Sequence, residues 1–143
     1  RFVFRMVLRL VAIKEESVTE QKNSLAVCLD NILRHAGITR NTEYDLAQGK
    51  TATTILSENM TGVQVLDLSG CTLDAVLYYV NQDIPVLAIL EDGEAVLVTG
   101  FNEFNVVIME PATGKLYKKG MNDATAWFAE NGNHFITYMR TEN

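Results

Sequence analysis

Positive charge is scarce in this 143-residue chain: 12 Lys and Arg stand against 18 Asp and Glu, a formal net charge of −6. The basic residues form no long cluster outside the first nine positions, so no stripe is available to neutralise a phosphate backbone. Nucleic-acid binding is therefore disfavoured. Long apolar runs are missing too, none approaching the ~20 residues of a membrane-spanning helix. Two cysteines, Cys28 and Cys71, are too few for a disulfide framework. Neither is spaced with a histidine or a second cysteine in a metal-binding pattern, and nothing calls for a cofactor. No internal repeat, low-complexity tract or linker divides the chain.

What remains is an ordinary globular composition, 48% hydrophobic and 21% charged, enough for one domain with a substantial core. The chain starts at Arg1 with no signal-like segment, and reads as a piece of a longer protein. Its organising stretch is residues 24–37, SLAVCLDNILRHAG. Leu25, Cys28, Leu29, Ile32, Leu33 and Ala36 recur at three- and four-residue steps along one face of a helix. Asn23 and Ser24 are both N-cap types, and Gly37 is the residue expected just past the end. Cys28 falls on the apolar stripe, which predicts a buried, inert thiol.

Residues 1–13 alternate, with Phe2, Phe4, Met6, Leu8, Leu10 and Ala12 on one face and Arg and Val on the other. That predicts a strand, either the end of an upstream domain or an edge that swaps onto a partner. Domain boundaries follow: residues 1–17 as strand and connector, residues 18–143 as the main domain. Further along, short helices are expected at 44–48, 51–60 and 72–82, the last capped by Thr72. Strands are expected at 63–68, 86–90, 95–101, 106–109, 115–118 and 134–139. A helix at 123–130 is expected with Asn122 as its cap and Trp127 and Phe128 packing inward. Helices first and an antiparallel meander later make an α+β fold.

Three stretches carry a resemblance. The apolar helix closing on Gly37 resembles that of papain-like cysteine peptidases of the type that trims double-glycine leader peptides. Their nucleophilic cysteine lies thirteen positions before the glycine, where this chain has Ser24. EAVLVTGF at residues 94–101 is similar to the family's histidine strand, with Glu94 at the histidine position. MEPATG at residues 109–114 resembles its Asp-Pro-x-x-Gly turn, with Glu110 for the acid. Gln21 lies near the place of the oxyanion-hole glutamine. The resemblance spans roughly residues 18–138 and implies a central N-terminal helix packed on an antiparallel sheet. It also implies a bacterial protein of the cell envelope or a secreted one.

Each replacement removes one step of the thiol mechanism. A helix dipole worth up to ~1 kcal/mol stabilises a thiolate but cannot ionise a serine hydroxyl. Glu94, at an ordinary carboxyl pKa near ~4.3, is a poor base at neutral pH. A neighbouring Glu110 would raise that value, yet nothing would stabilise positive charge as an imidazole does. His35 sits near the far end of the helix, roughly 16 Å from Ser24 at 1.5 Å per residue. His134 occupies no position the family uses. Simpler readings of the same residues are a helix cap for Ser24 and turn acids for Glu94 and Glu110.

The expectation is a catalytically inactive peptidase-like domain that binds a peptide or protein segment by strand addition, or serves as a structural module. Its alternatives are an active peptidase using Ser24 or Cys28, and a spacer or homodimerisation domain with no ligand, its N-terminal strand supplying the sticky edge.

Overall fold

Asn23 starts the central helix. The computed structural model describes residues 8–15 and 23–141 and places this helix, α1, at Ser24–His35. The Asn23 side-chain oxygen accepts the Leu25 and Ala26 amides at 2.8 and 3.2 Å, satisfying two donors that a helix start leaves open. Ser24, also a cap type, is instead the first helical residue, which frees its hydroxyl. At the other end the Ile38 amide donates to Leu33 O and the Gly37 amide to Arg34 O, at 2.8 and 2.9 Å. This Schellman closure needs a left-handed residue, and Gly37 supplies it at φ +88°. Cys28, Leu29, Ile32 and Leu33 are buried along the inner face, as their spacing predicts.

The remaining helices are α2 (Glu43–Ala47), α3 (Ala52–Asn59), α4 (Leu73–Val80) and α5 (Met121–Glu130). The strands are β1 (Arg9–Leu10), β2 (Val63–Asp67), β3 (Val86–Ile89), β4 (Ala95–Phe101), β5 (Asn105–Glu110), β6 (Lys115–Gly120) and β7 (His134–Arg140). They form one antiparallel sheet in the order β2-β7-β3-β4-β5-β6. All of β4 but its last residue is buried, so the sheet's centre is covered on both faces. Helices α1 and α4 pack on β3 and β4, α3 on β2, and α5 on β5 and β6. Phe128 stacks at 5.3 Å against Phe135, with Trp127 at 4.9 Å on its other side, closing the core under α5. The fold class is α+β.

Two expectations shift. Helix α5 begins at Met121 rather than Asp123, with Gly120 as its cap and no side-chain cap bond. The Met121 amide is taken by Phe104 O at 2.8 Å, a tertiary acceptor that makes a capping Asn122 unnecessary. The expected strand at residues 1–13 falls partly outside the described residues. Within them only Arg9 and Leu10 pair, antiparallel to Phe101 and Gly100, where β4 runs on past the end of β3. Val11 and Ile13 turn into the core while Leu10 stays 51% exposed. Thus the face carrying Arg9 and Val11 looks inward, not the more apolar one. β1 thereby completes the β4 edge of its own chain.

The loop after α1 is pinned by Asp45, 4% exposed, whose carboxylate accepts Arg40 Nε and Nη2 at 2.9 Å each. This forked hydrogen bond holds Asp45 below the usual carboxylate range. A carboxyl lowered in the folded state stabilises at pH above its unfolded value. That contribution is lost as pH falls through ~3.9 toward the lowered folded value. Asp45→Asn is therefore expected to flatten the acid limb of the stability–pH curve below about pH 5, measured by thermal melts. An unchanged acid limb would contradict this role for the pair.

Candidate functional site

The freed Ser24 hydroxyl crosses to the sheet. Its Oγ accepts the amide of Ala95, the first residue of β4, at 2.9 Å. This bond ties the head of α1 to the strand that Glu94 precedes. Glu94 is exposed and held in the turn: its amide donates to Asp92 Oδ1 at 2.9 Å and its carbonyl accepts from Leu90 at 2.7 Å. Glu110 ends β5 beside the start of β4, since Leu97 faces Met109 in the register. Its Oε1 accepts the Ala112 amide at 2.8 Å, an acid folded back on its own turn. Three separated motifs thus meet at one end of the helix.

Cys28 lies one turn deeper and is fully buried. Burial pushes its thiol pKa well up, and the charges of Glu110 and Asp30 push the same way. A thiol in that setting stays protonated and out of reach, the opposite of an activated nucleophile. Cys71, half-buried, stands just before α4, away from this cluster.

Among the described residues, no histidine joins the cluster and no carboxylate hydrogen-bonds to Ser24. Among the described residues, Ser24 Oγ makes no hydrogen bond besides the one from Ala95. His35, at the far end of α1, turns Nε2 to the Asp83 backbone carbonyl at 3.1 Å and to the Asp83 carboxylate at 3.5 Å. His134 is opposite Ile89, which is opposite Ala95, so it stands two strands away, roughly 10 Å across the sheet. Its Nε2 faces Asp67 at 3.9 Å. Gln21 lies outside the described residues. No group of three or more His, Cys, Asp or Glu among the described residues could hold a metal ion.

Comparison with solved structures matches this arrangement. A protein from Bacillus anthracis, described as a C39-like peptidase, superposes with a TM-score of 0.75 over 94% of this chain and 98% of its own. The fold is that of a C39-like peptidase. Identity between the two chains is 12%, so the likeness is one of fold. No protein-family model and no curated protein sequence matches the chain. Ser24 is the first residue of α1, and its tether from Ala95 was not legible in the sequence. A backbone donor 71 positions away leaves no trace in local sequence. No helix among the described residues is long and apolar enough to cross a membrane.

Proposed function

We propose that this domain is a catalytically inactive peptidase-like module of a larger bacterial protein, retained to bind a peptide or protein segment. One observation carries the reading: Ser24 Oγ is engaged by a backbone amide and, among the described residues, makes no hydrogen bond to a base. A hydroxyl that accepts a hydrogen bond has less electron density to offer a carbonyl, and a serine needs a base to attack at all. The Glu110 carboxylate is folded back on its own turn, and neither Glu94 nor Glu110 makes a hydrogen bond to Ser24 Oγ. The nearby thiol, Cys28, is sealed in the core.

A second reading, a dimer built through the N-terminal strand, has less support. Arg9 and Leu10 already pair with β4 of the same chain. For a bound peptide adding as a strand, the outer strands are β2 and β6. β6 carries Lys115, Lys118 and Lys119, and its Leu116 amide is occupied by the Glu15 carboxylate at 2.7 Å. Lysines and a covered amide are how an edge is kept from pairing, so peptide addition falls to β2.

The test is labelling of the native protein with a thiol-directed and a serine-directed covalent probe, read by intact mass and peptide mapping. The expected result is no label on Ser24 or Cys28, with slow modification of half-buried Cys71. Rapid stoichiometric labelling of Ser24 or Cys28 would overturn the inactive reading.

A further inference from the structure

The two edges of the sheet are built differently. β6 is guarded: Lys115, Lys118 and Lys119 line it, and the Glu15 carboxylate covers its Leu116 amide. β2, at the other edge, has neither lysine nor proline, and it pairs with β7 in an unbroken register. Val63 and Val65 stay half-exposed although α3 packs on the strand, so the outer side of β2 is open among the described residues. Protection at one edge and none at the other marks β2 as the pairing edge.

The hydrogen bonds show which groups β2 offers. Gly62 O accepts the Thr141 amide at 2.9 Å, and the Leu68 amide donates to Phe135 O at 2.8 Å. Those two residues face β7, and in an antiparallel ladder every second residue between them does the same. Gln64 and Leu66 therefore bond inward. Val63, Val65 and Asp67 direct their N–H and C=O groups away from the sheet, with Val65 at the centre.

That spacing is self-complementary. When a second β2 lies antiparallel with Val65 against Val65, Val63 of each copy meets Asp67 of the other. All of these are hydrogen-bonded positions, where facing residues exchange two backbone bonds. The two Val65 side chains then touch across a two-fold axis as β-branched neighbours. On the opposite face Gln64 meets half-buried Leu66 of the second copy, beside Met139, which pairs with Gln64 in β7 and is 41% exposed. A single copy leaves Leu66 and Met139 partly in water at the sheet's margin, and a second copy extends the sheet past them.

Charge agrees with this register. Asp67 is the one charged residue of β2, and the pairing sets the two Asp67 side chains at opposite ends. Each lies beside Val63 of the other copy, with that copy's exposed Arg140 next in line on the same face.

We propose that the β2 edge pairs with the β2 edge of a second copy, making a two-fold dimer with one sheet running through both. The protein segment that this domain takes is the same strand of another copy. This rests on the reading of β2 as the pairing edge and not on the state of Ser24. Strand pairing with little else buries less than the ~1,200 Å² of a standard interface, so the dimer is weak, with a Kd of roughly 10–100 µM.

The test is sedimentation velocity on the full chain from about 5 to 500 µM, joined to amide hydrogen exchange read by NMR. The parent is expected to pass from monomer to dimer across that range. Val65→Lys and Val65→Glu each set like charges against each other on the axis, and each should raise the Kd at least about tenfold. An equimolar mixture of the two should dimerise again, because the register then sets Lys against Glu. Should either variant fold poorly, the parent decides alone: exchange at Val63, Val65 and Asp67 should slow as concentration rises, while Gln64 and Leu66 stay unchanged. A parent still monomeric at about 500 µM would overturn the proposal. So would a dimer that Val65→Lys leaves intact, or exchange at Val65 that ignores concentration. A peptide of residues 62–68 then separates the two failures: on a monomeric parent it shifts Val65 if β2 takes some other strand, and leaves Val65 unmoved if β2 is no pairing edge.

Discussion

Gly100→Val is expected to lower stability by about 3 kcal/mol and to detach β1 from the sheet. At this position β1 crosses β4 so closely that an added Cβ would drive into the Arg9 carbonyl oxygen. It would also meet Leu10 Cδ1 at 2.9 Å and Leu10 Cα at 3.2 Å. Two of the three contacts are backbone, which cannot rotate away as the end of a side chain could. The register also shifts between Val98 and Gly100, so the strand is already bent here to admit β1. Relief is available only if β1 moves out, carrying Val11 and Ile13 from the core. Melting should fall by roughly 10 °C, at about 3–4 °C per kcal/mol for a chain of this size. Limited proteolysis should then cut within residues 8–15 of the variant and not of the parent. A Gly100→Val protein with unchanged melting and protection would show that β1 contributes little to the fold.

The second large effect is at Asp30. Thr42 is completely buried, and both its amide and its hydroxyl donate to Asp30 Oδ1, at 2.8 and 2.7 Å. This single carboxylate fixes the chain as it leaves α1 and turns toward α2. Asp30→Ala leaves the hydroxyl an alternative, Ala26 O at 3.2 Å, but gives the buried amide none. The expected loss is about 2–3 kcal/mol, the cost of a stranded donor plus a charged hydrogen bond. Asp30→Asn keeps an acceptor in place and should lose less than half as much. Urea melts of the two variants check the order. Equal losses would place the effect in charge and not in the Thr42 bonds.

Much of this fold was legible because local signals agreed with the tertiary outcome. The stripe from Cys28 to Leu33, Thr72 ahead of α4, and the alternating apolar residues of β4 each carry their structure in their own neighbours. Gly37 marked the helix end because its left-handed backbone is one that few residues adopt. The failures occur where a partner distant in sequence decides. Met121 joins α5 because Phe104 supplies an acceptor. The face of β1 that carries Arg9 and Val11 looks inward, which the alternation alone left open.

The candidate site was legible to the extent that spacing places residues. Ser24, Glu94 and Glu110 come from three separated stretches, and the register and hydrogen bonds bring their neighbourhoods to one helix end. What each side chain does there was not readable, since Ser24 is neither cap nor free hydroxyl but a tether to β4.

Amide hydrolysis measures the central claim most directly. The parent protein and Ser24→Ala would be incubated with a double-glycine leader peptide and followed by mass spectrometry. The account predicts that both leave the peptide intact, with any bound peptide recovered unchanged. Cleavage by the parent that disappears in Ser24→Ala would contradict it.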